Sequence, residues 1–381
     1  MPAIPSLFKS FFNSKKSGGF ILIVCTLLSI LIANSTVGET YIGFWNTEIS
    51  GHTLTEWIND GLMTFFFLLI GLELEREIYA GELSSLKKAS LPAFSALGGV
   101  IIPALIFFAL NMNSGFVRGV GIPMATDIAF AIGILSLLGD RVPFSLKIFL
   151  TALAVIDDLI AILVIAVFYT TEIHFLYLLL SLCCFLLLII LNKKKIEVGL
   201  VYIIGGILMW IFMFHSGIHP TISGVLLAFA LPFGDGSKNN ISFKWQEKLH
   251  NPVAFFVLPV FALANTCIYF ENDWTGGMTS NLSLGVIAGL TIGKPIGILL
   301  FSFLSVRMGM CKLPADINWK YILGAGMLGG IGFTISIFIT LLAFEKIEMI
   351  EISKIAILFA SLISAIMGLI FLKIVLPQKR S

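Results

Sequence analysis

The chain returns repeatedly to apolar runs of about 20 residues, the length an α-helix needs to cross the hydrocarbon core of a bilayer. About twelve such segments are legible, near residues 18–35, 57–80, 90–111, 119–139, 144–170, 174–191, 199–214, 218–232, 250–270, 284–306, 321–344 and 353–376. In hydrocarbon a backbone must satisfy its own polar groups, which favours helices over open sheets. A soluble alternative fails on surface cover. Only 12% of residues are charged, whereas soluble domains carry about 25%. The expectation is an all-α polytopic membrane protein in which residues 1–381 form one membrane domain, with linkers too short for a soluble appendage.

Several classes of function drop out here. A net charge of +2 gives nucleic acid no electrostatic footing. The five cysteines, Cys25, Cys183, Cys184, Cys267 and Cys311, are odd in number and form no CxxC pair. They read as small core residues rather than as a disulfide framework or zinc site. Basic Lys9, Lys15 and Lys16 precede the apolar run Phe20–Ile32, a pattern shared with signal peptides. With so many spans further along the chain, a retained first helix is expected.

Orientation is set by the bias of Lys and Arg toward the cytoplasm. With both termini cytoplasmic, 20 of the 24 basic residues fall on that side. Arg118, Lys346 and Lys354 do not, and Lys294 lies within a span. Lys193, Lys194 and Lys195 read as an anchor on anionic headgroups. One outer loop, "TYIGFWNTEISGHTLTEW" (residues 40–57), alternates apolar and polar residues around Ser50-Gly51. It predicts a small extramembrane β-hairpin. A lone hairpin is marginal in water, so pairing with a second copy is expected, making a homodimer.

Four ionisable side chains fall inside the spans: Asp127, Asp157, Asp158 and Lys294. Each costs about 2.5–3.5 kcal/mol when charged at the bilayer centre. Together, unpaired, they would cost about 10 kcal/mol, comparable with the whole stability of a domain, about 5–15 kcal/mol. They must be paired, protonated, hydrated or loaded with an ion. A buried ion pair uses one acid and leaves a surplus that a cation can neutralise. Neighbours on a helix point about 100° apart, so Asp157 and Asp158 cannot aim at one point. One division has Asp158 facing a hydrated cavity and Asp157 facing a base, for which Lys294 in "IGKPIG" is the candidate.

Two spans carry breaking signals. In "GIPMATDIAFAIG" (residues 121–133), Pro123 and the helix-starting pair Thr126-Asp127 interrupt the run. In "GMLGGIGFTISIF" (residues 326–338), Gly329, Gly330 and Gly332 cluster at mid-span. Broken helices at matching places in two halves mark inverted-repeat transporters with a midplane site. Spans 3–5 and 10–12 would be the repeats, with breaks in spans 4 and 11. Facing half-helix ends carry partial charges. Asp127 suits the positive N-terminal ends and Lys294 the negative C-terminal ends.

These stretches, with "NDGLMTFFFLLIGLELERE", "LKIFLTALAVIDDL", "HSGIHPTISG" and "LPVFALANT", resemble the bacterial NhaA-type sodium/proton antiporters over nearly the whole chain. That family is itself a type case of inverted-repeat architecture. The resemblance implies that Asp157 and Asp158 form the ion-binding pair, with Asp157 partnered to Lys294. It implies that Thr126 and Asp127 stand where two broken helices cross. Asp60 matches a less critical acid, Glu73 an acid of the cytoplasmic funnel, and His219 an outer histidine. The last two are tied to pH response, and residues 40–57 match the dimer contact. Two departures touch the entrance: Glu75 stands where the family pattern has a lysine, and the acid near Gln246 and Glu247 is shifted by one place. The activation pH therefore does not carry over.

The expected activity is electrogenic, pH-regulated exchange of intracellular Na+ (or Li+) for external H+ across a bacterial inner membrane. Asp157, Asp158 and Thr126 would supply hard oxygen ligands to the cation, and the same carboxylates would take the protons. No covalent step, ATP motif or cofactor is expected; Na+ or Li+ and H+ are cargo. An intramembrane aspartyl protease would need two acids about 3 Å apart across one proton, which helix neighbours do not provide. A passive cation channel would favour rings of carbonyls or charges along a pore. An exchanger preferring potassium or lithium is the nearest alternative within the transporter class.

Overall fold

The structure, a computed structural model, describes residues 15–170, 173–234, 236–237, 240–270 and 274–377. Lys9, Lys238, Lys379 and Arg380, four of the basic residues behind the expected orientation, lie outside them. In chain order the elements are α1 (Lys15–Ala33), α2 (Gly38–Trp45), β1 (Glu48–Ile49), β2 (His52–Thr53), α3 (Leu54–Tyr79), α4 (Leu86–Asn111), α5 (Ile128–Leu137), α6 (Phe144–Phe168), α7 (Phe175–Lys193) and α8 (Gly199–Ser216). Next come α9 (Ile222–Ala230), α10 (Ile241–Pro252), α11 (Leu258–Asn265), α12 (Trp274–Met278), α13 (Asn281–Arg307), α14 (Trp319–Gly329), α15 (Phe333–Ala343) and α16 (Ile347–Val375). A 3-10 turn, Val117–Met124, precedes α5.

Among the described residues, eight helical stretches are long and apolar enough to cross a membrane, and two bent pairs pass only when each pair is taken together. These ten coincide with ten of the expected segments. The other two are helical but different. α9 has nine residues, which rise about 14 Å against a core of about 30 Å. Leu231 ends it in extended conformation (ψ 147°), as a residue before proline prefers. The stretch from α10 to α11 begins with the polar run Lys244 to Lys248.

By contact the chain forms two compact units, divided within α6 after Asp158. The first comprises residues 1–35, 86–158 and 268–381. At its tightest crossing, Gly98 of α4 and Gly297 of α13 meet backbone to backbone, and a Cβ on either would run into the other's backbone. Ser95 and Ser302 hydrogen-bond 2.6 Å apart on the same two helices. Small residues let helices approach this closely in lipid, where packing replaces the hydrophobic drive.

The second unit comprises residues 36–85 and 159–267. Here α3 lies on α9, with Gly224 against the Thr64 carbonyl and Gly71 against Ala228. Leu68, Leu72, Tyr202, Met209 and Leu227 fill the core beside this crossing. Leu176, Leu179, Leu186 and Leu187 of α7 are exposed, an apolar face suited to lipid.

The hairpin is shorter than the alternation suggests. Helix α2 continues to Trp45, and β1 and β2 have two residues each, paired Glu48 to Thr53 and Ile49 to His52. Ser50 (φ 55°) and Gly51 (φ 83°) make the turn. The strand is cut off by a capping box: Glu56 N donates to Thr53 Oγ1 (3.2 Å) and Thr53 N donates to Glu56 Oε2 (2.7 Å). That starts a helix at Leu54. Trp57 Nε1 donates to Ile49 O (2.9 Å), and Trp57 stacks on Phe214 and Trp210 of α8.

Candidate functional site

Both interrupted spans lie in the first unit. Between the Val117–Met124 turn and α5, residues Ala125 and Asp127 are extended (ψ 152° and 98°). Between α14 and α15 the chain bends by 49° through Gly330, Ile331 and Gly332. A side chain at Gly330 would collide with Leu290 O and with Ser364 Oγ, which is why only glycine fits there.

The two breaks are stitched together. Asp127 N donates to Ile331 O (2.6 Å). The Asp127 carboxylate caps its own helix by accepting from Phe130 N (3.1 Å), and it accepts from Thr334 Oγ1 (2.6 Å) and Thr334 N (3.3 Å) at the start of α15. One carboxylate thus faces two helix N-termini, whose free N–H groups and partial positive charge favour an anion. Ser336 Oγ donates to Ile122 O (2.7 Å) across the same crossing.

Asp157 sits on α6, 1% exposed. Its Oδ2 lies 2.6 Å from Lys294 Nζ. Lys294 comes directly after a π-turn, Gly289–Gly293, and opens the second half of α13. Such turns recur at functional sites because the extra residue rotates the next stretch of helix. Its ammonium also donates to Met124 O, at the C-terminal end of the 3-10 turn. Thr126 Oγ1 stands 2.6 Å from Asp157 Oδ2 and 2.8 Å from Gly329 O, so two acceptors share its single proton. Asp157 Oδ1 is buried and accepts no hydrogen bond. Asp158, next along the helix, is 3% exposed.

The structure therefore brings Thr126, Asp157 and Lys294 into direct contact, sets Asp158 beside Asp157, and holds Asp127 at the same crossing. Among the described residues no three His, Cys, Asp or Glu side chains gather as a metal cluster. The donors on offer are a carboxylate pair, one hydroxyl and backbone carbonyls, all hard oxygens suited to an alkali cation.

The remaining candidates lie in the second unit as two separate pairs. His219 Nε2 is 3.2 Å from Asp60 Oδ1, and its Nδ1 is 2.8 Å from Thr221 Oγ1. Glu73 Oε1 is 4.0 Å from His250 Nδ1. Glu75, the departure from the family pattern, is buried and accepts from Ser242 Oγ (3.0 Å).

Sequence reasoning missed three contributors. Thr334 and Ser336 were visible only as polar residues after a glycine cluster. Ser361 of α16, whose Oγ accepts from Phe333 N (3.2 Å), left one faint signal: the small-residue spacing of Ala356, Ala360, Ser361, Ser364 and Gly368.

Comparison with known proteins agrees in one direction. The family described as Na+/H+ antiporter 1 matches residues 9–372. A relative named Na+/H+ antiporter NhaA 1, from Flavobacterium johnsoniae, is 59% identical over 374 residues, covering 98% of each chain. The NhaA of Cytophaga hutchinsonii is 54% identical, with 99% of this chain and 98% of the relative covered. That of Vibrio cholerae is 43% identical, with 98% and 99% covered. Among solved structures, the sodium/proton antiporter MjNhaP1 of Methanocaldococcus jannaschii superposes with a TM-score of 0.54 over 94% of this chain and 90% of that one. At 14% identity it speaks for the fold alone. With its apolar helices and its match over almost the full length, this multi-pass membrane chain belongs to the Na+/H+ antiporter 1 family.

Proposed function

We propose that the protein is a secondary antiporter that moves intracellular Na+, or Li+, outward in exchange for external H+. The observation that carries the reading is Asp157: a buried carboxylate held by Lys294 and Thr126 at the crossing of two helix breaks, with one oxygen left without a hydrogen bond. Asp157, Asp158 and Thr126 take the cation as ligands. A proton on the same carboxylates removes the charge that attracts it, so each cargo expels the other. Lys294 serves as the internal counter-ion while Asp157 is empty and yields when the cation binds. Asp127, satisfied by neutral donors only, stays fixed and holds the half-helix ends together. Residues 1–381 act as one transporter domain, and spans 3–5 and 10–12 are inverted repeats whose breaks cross at the membrane midplane.

The finer features belong to the same reading. Two carboxylates against one cation make the exchange electrogenic. Asp60, His219 and Glu73, which the family resemblance ties to the entrance and to pH response, lie in the pairs Asp60–His219 and Glu73–His250 and adjust activity to pH. The basic residues put both termini in the cytoplasm, in a bacterial inner membrane. Strand β1 is exposed and offers its edge to the hairpin of a second copy, giving a homodimer. Because the hairpin already rests on Trp57 and α8 of its own chain, the dimer adds to its stability rather than creating it. Neither a protease nor a channel accounts for the Lys294–Asp157 pair.

The test is transport by the purified protein in vesicles with a trapped pH dye. Adding Na+ or Li+ should move protons; K+ should not. Asp158→Asn should abolish the movement, and full activity in that variant would remove Asp158 from the site. Flux of Na+ without proton movement would select a channel.

A further inference from the structure

Helix α16 runs unbroken past the break between α14 and α15. Its partners keep one antiparallel register: Leu372 packs on Gly324, Gly368 on Leu328, Ser364 on Gly330, and Ser361 receives Phe333 N. The register continues across the break with no slip larger than two residues. A helix interrupted at Gly330–Gly332 is thereby splinted by a continuous one. Ser361 is the polar attachment: its hydroxyl oxygen takes the orphan first N–H of α15. The buried small side chains Ala356, Ala360 and Ser364 keep the splint close.

The far end of α16 is gripped by a residue outside the site. Arg141 Nη2 donates to Lys373 O (2.9 Å) and Leu376 O (2.8 Å), and its Nε donates to Pro377 O (3.2 Å). These are carbonyls of the helix end, where a cation is favoured. Arg141 closes the turn Gly139–Arg141 that comes directly after α5, and α5 begins at Asp127. A closed circuit results. It runs from Asp127 through α5 to Arg141, along α16 to Ser361, into α15, and from Thr334 back to Asp127. Ser361 and Leu376 are about 22 Å apart along the helix, so Arg141 and Ser361 do not touch.

We propose that Arg141 and Ser361 are positioning residues for cation binding, acting together by holding both helix breaks in one frame through α16. Each acts through the crossing rather than on the cation. Opening the circuit at either place lets the half-helices shift against each other, and Thr126 and the Gly329 carbonyl shift with them. A second cut then adds little, because the circuit is already open.

The inference rests on the exchange reading, so the wild-type protein is the first arm: if it moves no protons on Na+ addition, that reading fails. The further arms are Ser361→Ala, Arg141→Lys, Arg141→Gln and the double variant Arg141→Gln/Ser361→Ala, each in vesicles with Na+ titrated at fixed pH. Losing the Ser361 hydrogen bond, or the Arg141 grip on the helix end, should raise the half-saturating Na+ concentration about fivefold in each glutamine or alanine single variant, with the maximal rate within about twofold. Arg141→Lys, which keeps the cation, should recover most of the affinity. The double variant should remain near the weaker single, about fivefold to tenfold, rather than reach the about 25-fold expected of independent sites. Multiplying effects would overturn the proposal. So would unchanged Na+ affinity in Ser361→Ala, the milder variant, whether or not the arginine variants fold.

Discussion

At the scale of single residues, the site is governed by what a buried charge requires. Asp157 and Lys294 are each almost fully buried and 2.6 Å apart. Removing one member of such a pair leaves the other uncompensated, at a cost of about 3–5 kcal/mol. Asp157→Asn should therefore lower the unfolding temperature of the detergent-solubilised protein sharply. The double variant Asp157→Asn/Lys294→Met should recover most of that loss, because no buried charge remains, while still failing to exchange Na+. A double variant no more stable than the single would mean that the pair is not the source of the cost. Thr126 poses a different question, since its one proton serves both Asp157 and Gly329 O. Thr126→Val keeps the shape, takes the hydroxyl donor away from Gly329 O and leaves Asp157 Oδ2 to Lys294 alone. It should weaken Na+ binding by about tenfold, whereas Thr126→Ser should stay within about twofold, as titration of exchange against Na+ would reveal. These residues were legible beforehand because hydrocarbon makes every charge conspicuous: Asp127, Asp157, Asp158 and Lys294 had to be explained by something. Ser361 was not, since a serine in an apolar helix usually bonds back to its own turn and gives no hint of a partner.

At the scale of elements, the same physics decided which expectations survived. Breaks near Thr126-Asp127 and Gly329–Gly332 could be read from residues that start or interrupt helices, and the helices are interrupted there. The hairpin was overdrawn because alternation was weighed and the capping signature Thr53-Leu54-Thr55-Glu56 was not; a cap wins over two residues of strand. Helix crossings were invisible in advance, as periodicity does not say which glycine meets which. The crossing of α4 and α13 lends itself to a direct check. Gly297→Ala would drive a methyl group into the Gly98 backbone, and overpacking of that kind costs about 1–3 kcal/mol. Because the crossing lies one turn beyond Lys294, exchange should fall together with thermal stability. Gly43→Ala, which meets nothing within 4 Å, should change neither.

At the scale of the whole molecule, the charge carried per cycle is the property that the residues alone most nearly determine. In the proposed site two carboxylates, Asp157 and Asp158, adjoin one cation position. If both exchange their protons for a single Na+, each cycle moves one net positive charge inward. A membrane potential then does work on the cycle, about 2.3 kcal/mol per 100 mV for each charge. In vesicles with equal pH on both sides, an inside-negative potential of about 100 mV should hold internal Na+ about 50-fold below external Na+ at steady state. A one-for-one exchanger under the same conditions would leave the two concentrations equal, whatever the voltage. The distinction does not depend on rate, on the activation pH or on how many copies associate, since all three alter only how quickly the balance is reached. Imposing the potential with a potassium gradient and valinomycin, and tracking Na+ to its plateau, separates the two cases. A plateau near unity would leave one of the two carboxylates outside the exchange.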